Sequence, residues 1–135
     1  RAAVVQALAT PLEAPDVLVG VTETARVVRS TDGGAAWETL EFGAGPPNAF
    51  RAGVARLADG GPLAPRTLFM ARPVAPNPDA VHWVLMRSDD LGASWRVGGD
   101  LGDLDTPVLW LRASSTRRDL VEVAAGDDVL PVTTW

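Results

Sequence analysis

This 135-residue chain has no cysteine and no tyrosine, and lysine and isoleucine are missing as well. Without cysteine there is neither a disulfide framework nor a thiolate metal site, and the redox compartment stays open. His82 is the single histidine, so a zinc site of the usual composition is excluded and no metal or cofactor is expected. Basic charge is also scarce: 12 arginines face 17 acidic residues, for a net charge of −5. That balance argues against nucleic acid and anionic membrane as partners. No apolar run reaches the ~18 residues of a membrane-spanning helix. The N-terminus lacks the shape of a signal peptide, because Arg1 to Val5 runs straight into Gln6. Sustained 3.6-residue apolar stripes with caps are missing, so few or no helices are expected. An all-arginine basic set without lysine, isoleucine or tyrosine is what GC-rich coding produces, and it points to a bacterial source. The start at Arg1, with no initiator Met, suggests a processed product or a piece of a longer chain.

Nucleotide and hydrolase signatures are equally absent. Gly33-Gly34 and Gly98-Gly99 stand in turn contexts with no phosphate-binding pattern around them. No Gly-x-Ser-x-Gly accompanies His82, which reads as a packed or surface histidine opening a strand. Asp100, Asp103 and Asp105 lack the alternation and terminal Glu of a calcium loop. Trp83 and Trp110 lie in strand-like runs, where core packing outranks a stacking platform for sugars.

What the chain does contain is a folded composition, 47% hydrophobic and 21% charged, at the length of one domain. Short apolar runs rich in valine and leucine recur, separated by turn residues such as Pro15-Asp16, Gly60-Gly61-Pro62, Pro76-Asn77-Pro78 and Gly126-Asp127. Taken in fours, these strands form two full units, about 2–42 and 50–100. A third unit, about 108–135, stops after its third strand. The runs Val17-Leu18-Val19 and Thr67-Leu68-Phe69-Met70 are apolar at consecutive positions, which predicts sheets covered on both faces.

Two octets close the third strands of the full units. The first is Ser30-Thr31-Asp32-Gly33-Gly34-Ala35-Ala36-Trp37, and the second is Ser88-Asp89-Asp90-Leu91-Gly92-Ala93-Ser94-Trp95. Both fit Ser-x-Asp-x-Gly-x-x-Trp. Turn chemistry explains each fixed position. Asp32 and Asp90 accept backbone N–H groups a few residues on, and Gly34 and Gly92 tolerate positive φ. Ser30 and Ser88 close the turn from the other side, and Trp37 and Trp95 bury a ring beside it. By the same alignment Val132-Thr133-Thr134-Trp135 falls where Arg29-Ser30-Thr31-Asp32 falls, so Trp135 stands in for the aspartate.

The octets resemble the Asp-box, or BNR repeat, of β-propellers, a family that includes sialidases, xyloglucanases, sortilin-type receptors and photosystem II assembly factors. The resemblance implies an all-β fold of antiparallel four-stranded blades, two full and one partial. Propellers close with 4–8 blades, so the remaining blades are expected from a longer parent chain or from other copies. It also implies an extracellular or periplasmic setting, and a working face opposite the boxes. On that side two segments stand out as loops: Ala71 to Val81, Pro-rich, and Gly98 to Pro107, acidic. Arg72, Asp79, Asp103 and Asp105 are the candidate ligand-binding residues there, for a protein, peptide or carbohydrate. A sialidase nucleophile is excluded, since that family uses a Tyr–Glu pair and this chain has no tyrosine. Met70-Ala71-Arg72-Pro73 echoes the family's Arg-Ile-Pro segment only loosely. The expectation is a non-catalytic scaffold or binding surface. The alternative is part of a sialidase-like or xyloglucanase-like glycoside hydrolase whose catalytic residues lie outside this chain.

Overall fold

Residues 5–22, 26–40, 55–76 and 81–135 are described by the computed structural model of the chain. Alternating side chains punctuated by Gly and Pro turns give only strands among these residues. In order they are β1 (Val5–Ala9), β2 (Leu18–Thr22), β3 (Val27–Ser30), β4 (Glu38–Leu40), β5 (Arg56–Asp59) and β6 (Leu68–Pro76). There follow β7 (Val81–Ser88), β8 (Arg96–Leu104), β9 (Val108–Ala113), β10 (Leu120–Ala125) and β11 (Asp128–Thr133). They pair as antiparallel meanders into three sheets: β1-β2-β3-β4, β5-β6-β7-β8 and β9-β10-β11. The fold is therefore all-β, with antiparallel sheets of four, four and three strands.

The sheets stack through two apolar layers. Val19, Val21 and Val27 of the first sheet meet Leu68, Met70 and Met86 of the second. On the other side of the second sheet, Phe69, Ala71, Trp83 and Leu85 meet Val108, Leu111, Val121 and Val123 of the third. Side chains alternate across a strand, so a sheet covered on both faces needs consecutive apolar residues. Leu68-Phe69-Met70-Ala71 supplies them, and none is more than 2% exposed. Each large side chain buried in this way contributes about 1.5–3 kcal/mol. Along the stack, β1 lies beside β5 and β5 beside β9, and Arg56 Nε of β5 donates to the Val108 carbonyl at 3.2 Å. The sheets do not close on one another. Val5, Leu8 and Trp37 of the first sheet and Trp110 and Val129 of the third stay exposed.

Two expected loops are largely strand. Ala71–Pro76 continues β6 and Gly98–Leu104 continues β8. The reason is the eight-residue β7, which pairs along its whole length with β6 and from Val81 to Arg87 with β8. Proline is compatible with β6 because the β5 ladder ends at the Arg56↔Ala71 pair. Beyond that point Pro73 and Pro76 withhold no N–H from it, and a bulge between Pro73 and Ala75 absorbs the misfit.

Candidate functional site

At one end of the sheets, the two octets close with the same bonds. Ser30 Oγ donates to Asp32 Oδ1 at 2.7 Å, and Ser88 Oγ to Asp90 Oδ1 at 2.8 Å. Each serine oxygen accepts the glycine N–H four residues on, at 2.9 Å from both Gly34 and Gly92. Asp32 Oδ1 accepts the Ala36 N–H at 3.0 Å, and Asp90 Oδ1 accepts the Ser94 N–H at 2.9 Å. The indoles turn back, with Trp37 Nε1 donating to the Gly34 carbonyl at 3.0 Å and Trp95 Nε1 to that of Gly92 at 2.9 Å. The Ala36 N–H and the Ser30 hydroxyl hold the Asp32 carboxyl below its usual range. For Asp90 partial burial works the other way, but the Ser94 and Ser88 bonds outweigh it and the net direction is again down. Asp32 accepts its turn bonds through Oδ1, whereas Asp90 uses both oxygens, its Oδ2 also accepting the Ser94 hydroxyl. Asp32 also borders an open hollow with Arg29, Trp37 and Glu38.

Positive φ is found at Gly34 (98°) and Gly92 (84°), as expected, and also one position earlier, at Gly33 (73°) and Leu91 (62°). Leu91 gave no sequence signal for that conformation. Its N–H donates to the Arg66 carbonyl at 3.1 Å, and the Gly33 N–H makes the matching bond to Asp16 at 2.9 Å. Each octet is thus tied to the turn that precedes the second strand of its own sheet.

Two expectations about this end change. Trp37 is 41% exposed, because no described residue covers the outer face of the first sheet, whereas Trp95 packs on the core between the first two sheets. At the third alignment the register is kept, Thr133 pairing with Leu120 as Ser30 pairs with Leu18 and Ser88 with Leu68, but the burial differs. Thr133 is exposed and Thr134 is the buried hydroxyl, 6% exposed against 1% for Ser30 and Ser88. The buried hydroxyl thus falls one residue later than in the octets. Trp110, expected in the core, lies on the outer face of the third sheet, with the Arg112 guanidinium 5.4 Å from its ring. Trp83 is fully buried, as expected for a core residue, and its Nε1 has no acceptor among the described residues.

At the opposite end, β7 and β8 bring a titratable cluster together. His82 pairs with Asp103 in register. Its Nδ1 lies 2.9 Å from Asp103 Oδ1 and its Nε2 lies 2.9 Å from Asp100 Oδ1. In a regular strand Asp100 and Asp103, three apart, would point to opposite faces. A bulge prevents this: Val84 pairs with Asp100 and Trp83 with Gly102, leaving Leu101 as the extra residue. Gly102 takes φ +74°, and its N–H donates to Asp100 Oδ1 at 2.8 Å. The bulge thus puts both carboxylates on the side of His82. Asp103, more than the opposing burial, raises the His82 pKa above its ordinary value of 6.5, and Asp100 adds to the rise.

Of the residues singled out in the sequence, Asp103 joins this cluster. Arg72 pairs with Val84 on the same face of the sheet, two residues along β7 from His82. Burial lowers its pKa, and its guanidinium is engaged. Asp105 lies past the end of β8, exposed. Asp79 lies outside the described residues. His82 and Asp100 are the members that sequence reasoning left out. Gly102, two residues after Asp100, was the available signal for a bulge. While protonated, the imidazole donates both N–H groups, one to each carboxylate. Among the described residues no group of three or more His, Cys, Asp or Glu is arranged to hold a metal ion. No helix of the described residues is long and apolar enough to cross a membrane.

No protein-family model matches the chain, and no curated protein matches it either.

Proposed function

We propose that this chain is a segment of an Asp-box β-propeller that serves as a non-catalytic binding scaffold, with its working surface at the end opposite the octets. One observation carries the proposal. The two octets close by the same hydrogen bonds at the same end of two successive four-stranded sheets. Side-by-side packing of the first strands, as the inner strands of propeller blades pack, supports it further. The octets use their carboxylates as internal fasteners, which leaves the opposite end for a ligand. There His82, Asp100 and Asp103 stand on two rigid strands near Arg72, a mixed-charge rim suited to a polar protein, peptide or carbohydrate ligand.

The test is a binding screen of the 135-residue chain against arrays of synthetic glycans and short peptides, repeated with Asp103→Ala and Arg72→Ala. The expected result is a binder whose affinity falls at least about tenfold in both variants, with the thermal melt retained and no sugar turnover. Hydrolysis of a sialoside or a xyloglucan oligosaccharide by the chain, or binding that ignores both substitutions, would overturn the proposal.

A further inference from the structure

A second feature lies at the octet end, away from the surface just described. A cleft of about 320 Å³ opens between the β5–β6 turn and the β9–β10 turn, lined among others by Arg66, Thr67, Arg87, Asp89 and Arg118. Arg87 is locked in place. Its side chain is 9% exposed, and its Nε donates to Asp89 Oδ1 and Oδ2 at 2.9 and 3.1 Å. Its Nη1 reaches Asp119 Oδ1 at 2.5 Å and Thr134 Oγ1 at 2.8 Å, and the guanidinium carbon lies 5.7 Å from the Phe69 ring centroid. Its Nη2 has no acceptor among the described residues. Arg118 forms no ion pair or hydrogen bond among them either. Among the described residues Arg66 is held only by Glu13, at 2.8 Å, with both side chains about half exposed, a weak, solvent-screened pair.

The charge balance here runs against that of the chain. Three arginines, Arg66, Arg87 and Arg118, line the cleft with one carboxylate, Asp89, and Glu13 and Asp119 pair with Arg66 and Arg87 beside it, in a protein of net charge −5. One planar guanidinium satisfies a carboxylate by itself, since the two oxygens match its fork. Guanidinium groups arriving from separate turns match a group with three peripheral oxygens. From this geometry we infer that the cleft binds a tetrahedral oxyanion, the phosphate or sulfate group of a monoester. Arg118 and the Nη2 of Arg87 supply the donors, and Arg66 exchanges Glu13 for the ligand. Arg87 needs no ordering on binding because Asp89, Asp119 and Thr134 already fix it.

Titration of the full chain with inorganic phosphate and, separately, inorganic sulfate tests this by the Nε–Hε resonances of its arginines in ¹H–¹⁵N NMR spectra, with ionic strength held constant by sodium chloride. Saturable shifts at Arg87 and Arg118 are expected. Arg118→Gln and Arg66→Gln each weaken binding, the former about tenfold, while Arg112→Gln on the outer face of the third sheet leaves it unchanged. Saturation by only one of the two anions supports the site and narrows the ester class. Shifts that do not saturate, that chloride reproduces, or that persist unchanged in Arg118→Gln would overturn the inference.

Discussion

Around the first octet, a methyl group on Gly34 would meet Leu18 and Trp37 at ordinary contact distances of 3.5 and 3.6 Å, and the Trp37 ring is 41% exposed. Around the second, a methyl on Gly92 would lie 2.5 Å from Val19 Cγ2 and 3.2 Å from Leu68 Cδ1. Arg29 of the first sheet reaches over to donate from Nε to the Leu91 carbonyl at 3.2 Å. Four internal bonds recur in both turns, and the second adds one from the Ser94 hydroxyl to Asp90 Oδ2 that Ala36 cannot make; the surroundings differ more. Local sequence builds the turn, and a neighbouring sheet decides how much stability rests on it.

Substitution at the octet glycines separates these contributions most widely. Gly92→Ala forces a side chain into the left-handed region and against Val19, so a loss of about 2–5 kcal/mol is expected. Gly34→Ala carries the backbone strain alone, about 1–2 kcal/mol. Urea unfolding measures both, and equal losses would break the comparison. The tryptophans follow. Trp95→Ala is expected to cost about 3 kcal/mol, since it leaves a gap against the core between the first two sheets, and Trp37→Ala about 1 kcal/mol. Reversal of that order would place the cover on the wrong octet. The aspartates differ less: Asp90→Ala should cost about 1–2 kcal/mol and Asp32→Ala less, because Asp32 lacks the Ser94 hydroxyl bond that Asp90 accepts and its surroundings are open.

The two ends of the sheets also differ in the sign of their response to pH. Asp32 and Asp90 titrate lower when folded than their ordinary 3.8. Their contribution is present above pH 3.8 and is lost as pH falls through the depressed values. His82 titrates higher than 6.5. Its contribution is full below pH 6.5 and is lost as pH rises through the raised value. An NMR titration of the His82 ring should give an apparent pKa above 6.5 that drops in Asp103→Asn. This is the smallest effect on stability, since His82 is a third exposed. An unshifted titration would dissolve the cluster.

Much of the architecture was legible because its signals are local. Proline and glycine turns divided the strands. The two octets specified their own hydrogen bonds, and the consecutive apolar run Leu68 to Ala71 announced a sheet covered on both sides. The ends of strands were less legible. Gly98-Gly99-Asp100 looks like a turn and is strand, because an extended β7 offers partners that no composition rule can supply. The His82 cluster was hidden for a related reason. Asp100 and Asp103 fall on one face only through the extra residue Leu101, and register is a property of two strands, not one.

By itself, the order of amino acids determined that this chain folds into antiparallel sheets of alternating side chains, fastened at one end by two Ser-Asp-Gly-Trp turns. Those features need only residues a few positions apart. Tertiary structure alone decided which tryptophan is covered, that His82 lies between two carboxylates, and that Arg87 is anchored across two sheets. Each of these depends on strand pairing or sheet stacking, which brings together side chains that are distant along the chain.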